Sequence, residues 1–205
     1  MGKFLLSALC LLILTACAVK APGVSTAPLS KGDALRAVRS GAVNLCGYSG
    51  KVRITYAVKE SEQRFSGLLK KSCNGDIELK ILGLFGVVLA EVTLKNGVYK
   101  AVRGGEDVTT DLAAIVGKQE LHLINRTLTF PSILPDNSYE YDTLGGLSVF
   151  KKGGATLITD SAMNIATIIR ADSVTKYTWE EKTPKSAAMN WGKEGIKIDF
   201  YGEWR

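Results

Sequence analysis

After Gly50 the chain alternates. Val52, Ile54, Tyr56 and Val58 are separated by Arg53, Thr55 and Ala57, the period of a strand with one face on a core. A turn is predicted over 59–63, and Phe65 to Ser72 reads as the antiparallel partner. Asn74-Gly75 is a strong two-residue hairpin signal. Beyond it Ile77, Leu79 and Ile81 alternate with Glu78 and Lys80. Gly83-Leu84-Phe85-Gly86 then leads into a strand from Val87 to Leu94, and Asn96-Gly97 supplies a second tight turn into Val98 to Val102. Strands in succession joined by tight turns make an antiparallel sheet.

The period then changes. Ser30 and Asp33 form a helix-starting box for a short helix to about Arg39, with Leu35 and Val38 on one face. Leu112, Ile115 and Val116 stand at helical spacing between Asp111 and Gly117, and a further helix is predicted from Gln119 to Thr127. Pro131 to Tyr141, with two prolines and Asp136-Asn137, reads as a loop. Strands are predicted again near Leu147–Phe150, Thr156–Thr159, Ile165–Ala171, Val174–Glu180, Ser186–Trp191 and Ile196–Trp204. Strands, a helical pair, then more strands give a mainly β, α+β order.

The N-terminus adds an address. Lys3, the apolar run Phe4 to Leu14 and Leu14-Thr15-Ala16-Cys17 have the parts of a secretory signal, and the last four residues resemble a bacterial lipobox, in which Cys17 is lipidated. The run is short of the roughly 20 apolar residues that cross a bilayer. Residues 1–16 are thus expected to be a signal peptide, 17–30 a lipidated tether rich in Ala, Pro, Ser and Thr, and 31–205 one domain. Ala18, rather than Asp, after the cysteine points to the outer membrane, facing the periplasm.

Charge narrows the partners. The full chain carries +6, and losing Lys3 with the signal leaves 25 basic against 20 acidic residues, without a run of five like charges. A nucleic-acid arm is therefore not indicated. Cys46 and Cys73 fall at the outer ends of two adjacent strands. Two readings stay open for them, a disulfide in an oxidising compartment or two buried thiols. The lone His122 lies among Leu121, Leu123 and Ile124 in a predicted helix and reads as structural. No nucleophile elbow, phosphate loop or metal-ligand cluster appears. No catalytic residue, metal or cofactor is expected, and the chain does not read as an enzyme.

These patterns bear a resemblance. The lipobox, the strand Asp76-Ile77-Glu78-Leu79-Lys80-Ile81-Leu82 running into Gly83-Leu84-Phe85-Gly86, the turn strand Asn96 to Val102, the helices that follow and a closing strand ending near Trp204 resemble the LolB family within the LolA-like half-barrels. The resemblance implies a strongly curved antiparallel open barrel, its concave face covered by short helices and holding acyl chains of lipid or of a lipoprotein. It implies a membrane-inserting loop at Leu84 and Phe85 and delivery of cargo to the outer membrane, with a periplasmic carrier protein as a further partner. Val52, Ile54, Tyr56, Ile77, Leu79, Ile81, Val92 and Leu94 would line the lipid cavity. For these eight the other reading is an ordinary core, and for Phe85 a place in the barrel rim. A filled core would instead suit an envelope scaffold or assembly lipoprotein with a protein partner.

Overall fold

The computed structural model describes residues 29–42, 45–58, 61–111 and 133–205. They form α1 (Lys31–Ala42) and fourteen strands: β1 (Tyr48–Val58), β2 (Ser61–Lys71), β3 (Ile77–Leu82), β4 (Val88–Lys95), β5 (Val98–Arg103), β6 (Glu106–Asp107), β7 (Glu140–Leu144), β8 (Leu147–Lys152), β9 (Ala155–Thr159), β10 (Ile165–Ile169), β11 (Val174–Glu180), β12 (Thr183–Trp191), β13 (Glu194–Phe200) and β14 (Glu203–Trp204). All belong to one antiparallel sheet in the order β6-β5-β4-β3-β2-β1-β13-β12-β11-β10-β9-β8-β7, with β14 also pairing β1. The sheet is open and curved. It is two meanders joined where β1 meets β13.

Alternation decides which face is inside. Register places Val52 opposite Phe200, Ile54 opposite Ile198 and Tyr56 opposite Ile196, and Ile77 and Leu79 opposite Leu94 and Val92. Apart from Val92, these inward residues belong to or pack against one core with Phe150, Leu157, Ile168, Met189 and, from α1, Ala34, Leu35 and Val38. The three helical residues lie on one side of α1, as the helical period requires. Ser30 Oγ accepts the Asp33 N–H at 3.2 Å and starts the helix. Arg39 Nε and Lys31 Nζ then donate to the Pro135 and Asn137 carbonyls, at 3.2 and 2.9 Å, which tie α1 to the segment entering β7.

Several boundaries differ from the sequence expectation. The helix continues to Ala42, β2 begins at Ser61 inside the predicted turn, and β7 begins at Glu140 inside the predicted loop. The predicted last strand breaks at Tyr201-Gly202. There a side chain has no room, since a Cβ on Gly202 would fall 2.4 Å from the Ser49 carbonyl oxygen and 2.5 Å from Gly50 Cα. Residues 109–111 are helical, so a helix starts two residues before the predicted one. The rest of the predicted helical pair, with His122, and the whole of 1–28, with Cys17, lie outside the described residues.

Candidate functional site: an apolar inner face that opens toward an exposed tip

The inner face of β1 to β5 changes along its length. At one end it is sealed. Tyr48 is buried at the start of β1, Lys71 and Leu69 at the end of β2, Ile77 at the start of β3 and Leu94 at the end of β4. Outside this floor a disulfide joins Cys46 to Cys73, with Cα atoms 4.6 Å apart, which selects between the two readings of that pair. Lys71 is the one buried charged side chain among the described residues, 6 % exposed. Its Nζ donates to the Cys46 carbonyl at 2.5 Å. Burial holds this ammonium below the usual lysine range.

Toward the other end the same face opens. The eight predicted lining residues do share one face, but they divide. Val52, Ile54, Ile77 and Leu94 are buried in the core, whereas Tyr56, Leu79, Ile81 and Val92 are half-buried. Back at the sealed end Tyr99, paired with Leu94 across β4 and β5, is half-buried, and burial pushes its phenol up to about 12. The second half of the molecule is filled, with Phe150, Leu157 and Met189 at 0 % exposure.

The open end leads to the tip between β3 and β4. Leu84 to Gly86 form one 3-10 turn, closed by Gly83 N–H to the Val87 carbonyl at 2.8 Å. Phe85 is left-handed at φ 59°, ψ 18°, and Gly86 follows at φ 78°. A non-glycine residue held there is uncommon. Phe85 is fully exposed and Leu84 is 84 % exposed, so Phe85 is not folded into the rim. The apolar surface extends further than the sequence expectation. A register shift between Ile81 and Leu82 breaks the alternation of β4, and Val87, Val88 and Leu89 are exposed as well. Three consecutive apolar residues after Gly86 were the available signal. Phe65, inward on β2 and partly exposed, lies opposite Ile54 and continues the apolar surface from the open face.

No helix among the described residues is long and apolar enough to cross a membrane. No family profile matches the sequence, and no curated protein matches it. Solved structures do match in shape. A domain assigned to outer-membrane lipoprotein sorting, from Vibrio parahaemolyticus, aligns with a TM-score of 0.49 at 8 % identity, over 84 % of this chain and 91 % of that one. A LolA superfamily protein from Nitrosomonas europaea aligns with a TM-score of 0.50 at 10 % identity, over 86 % of this chain and 94 % of that one. At such identity the likeness is one of architecture: the chain has the LolA-like fold, an open, curved antiparallel sheet with few helices.

Proposed function

We propose that this chain is a LolB-type lipoprotein of the bacterial envelope, held by lipid on Cys17 at the outer membrane and facing the periplasm. Residues 1–16 are the signal, 17–30 the tether and 31–205 the working domain. It takes acyl chains of lipid or of other lipoproteins onto the open part of its inner face and inserts them into the outer membrane. The carrying observation is that the half-buried apolar face opens at the end where Leu84 and Phe85 are exposed. Each acyl methylene removed from water contributes roughly 0.8 kcal/mol, which drives capture, and an apolar tip in the bilayer gives the chains a dry route out. A neighbouring LolA superfamily protein of the same fold supports the reading. No step needs a catalytic group, metal or cofactor.

A second reading rests on the filled half. Phe150, Leu157 and Met189 leave no room on β8, β9 and β12, which suits an assembly lipoprotein with a protein partner. Photo-crosslinkers at Ile81 and Phe85 separate the two. Lipid or lipoprotein adducts at Ile81, and lipid adducts at Phe85, are expected. A stable protein complex with no lipid adduct at either position would favour the scaffold.

A further inference from the structure

The outer face of the sheet carries a groove beside the tip. It has a volume of about 420 Å³, and its outward-facing lining is Arg53 and Thr55 of β1, Glu62, Arg64 and Ser66 of β2, and Lys197 and Asp199 of β13. Register explains its position. Arg53 lies between Ser66 and Asp199, and Thr55 between Arg64 and Lys197. Ser66 in turn pairs with Leu82, the last residue of β3 before the tip. Because β2 continues past that pair to Ser61, the hairpin of β1 and β2 runs on beside Gly83 to Gly86. The cationic groove and the apolar tip are thus next to one another on one end of the molecule.

The charges in the groove are unequal. Three cations meet two carboxylates. Arg64 pairs with Glu62 at 2.6 Å and Lys197 with Asp199 at 2.8 Å. Arg53 has no ion pair among the described residues; its guanidinium stands over the Tyr201 ring, 5.7 Å from the centroid, and is exposed. A guanidinium suits phosphate oxygens through two parallel N–H donors, and Ser66 and Thr55 add hydroxyls. A bilayer surface presents this combination to an incoming tip: hydrocarbon for Leu84, Phe85 and Val87, and phosphates one layer above it.

We propose that this groove is a binding site for the phosphate of an anionic membrane lipid, with Arg53 as its main contact and Arg64 beside it. The site is engaged while the tip is in the bilayer. The inference rests on the tip reading above and adds a lipid preference to it. The apolar tip supplies the affinity common to all bilayers, and the groove supplies selection for phosphatidylglycerol over zwitterionic lipid.

Vesicle flotation of a chain beginning at Ala18, which keeps every described element, tests this with phosphatidylcholine alone and with phosphatidylglycerol mixed in. Tighter binding to the anionic vesicles is expected. Arg53→Gln with Arg64→Gln should reduce that preference by roughly fivefold per arginine while leaving binding to phosphatidylcholine in place. Lys100→Gln on β5 with Lys151→Gln on β8 removes equal charge at least three strands from the groove and should keep most of the preference. Equal binding of wild type to both vesicles overturns the groove, as does an equal loss in the lysine control. Displacement by inorganic phosphate or poly-glutamate at matched ionic strength would reassign the groove to a soluble anion or an acidic protein, and so overturns it too. Wild type that floats with neither vesicle overturns the tip reading itself, and Leu84→Ser with Phe85→Ser should reproduce that result.

Discussion

Lys71 shows what a single residue contributes and conceals. In the sequence it closes an alternating strand as a lysine beside a second lysine, Lys70, and nothing there distinguishes it from a solvated end. In the fold it faces inward, across from Tyr48 and Ile77, and becomes the floor of the apolar face. Long-range pairing put it there, so no local pattern could reveal it. Its titration gives a prediction. The ammonium ionises in the unfolded chain near 10.5 and lower in the fold, because burial disfavours the charge. Between those two values the unfolded chain holds more protons, so stability rises with pH. Below the folded value both states are charged and the cost is full. Denaturant titrations of wild type and Lys71→Met should therefore show wild type gaining on the variant as pH climbs from neutral toward 10.5. A difference between them that does not vary with pH would contradict the assignment.

Elements were legible where local chemistry spoke for them. The hairpins around Asn74-Gly75 and Asn96-Gly97 could be read from turn residues between alternating strands, and Asn96 and Gly97 do take φ 51° and 77°. The tip was legible from two glycines around Leu-Phe. β7 was not, because its residues Glu140 to Leu144 lie on the sheet edge and nearly all face solvent. An edge strand that buries little has no period to detect. The outer groove escaped for a related reason: Arg53, Arg64 and Lys197 come from three strands and meet only through register. At this scale the disulfide has a measurable part. It closes the open end of the β1–β2 hairpin across a separation of 27 residues, a loop for which the chain-entropy account gives roughly 3 to 4 kcal/mol. Cys46→Ala with Cys73→Ala should lower unfolding free energy by about that amount in a denaturant titration. A loss under about 1 kcal/mol would show that the other contacts of this end already confine the unfolded chain.

At the scale of the whole molecule, the two meanders must be held at one seam for the inner face to keep its curvature. β1 pairs with β13 along seven residues and then, past the break at Gly202, with β14. Tyr48 is the fastener. Its ring packs against Phe200 and Trp204, with centroids 5.2 and 4.9 Å away, and its hydroxyl accepts the Tyr201 N–H at 3.1 Å while donating to the Lys51 carbonyl at 2.9 Å. The Gly47 and Arg205 backbones exchange two hydrogen bonds at 2.8 Å beyond it. The Gly202 end of this seam adjoins the sealed floor, away from the tip, so strain introduced there separates stability from the tip's contact with the membrane. Gly202→Val would push a side chain onto Ser49 and Gly50, where even a Cβ has contacts of 2.4 and 2.5 Å. Overpacking of this kind costs about 1 to 3 kcal/mol, or roughly 2 to 12 °C in Tm for a domain of this size. Calorimetry should show the fall, whereas flotation with phosphatidylcholine vesicles below the new Tm should match wild type, because Leu84 and Phe85 are untouched. Lost flotation with a normal Tm would mean that the seam, and not only the tip, contacts the bilayer.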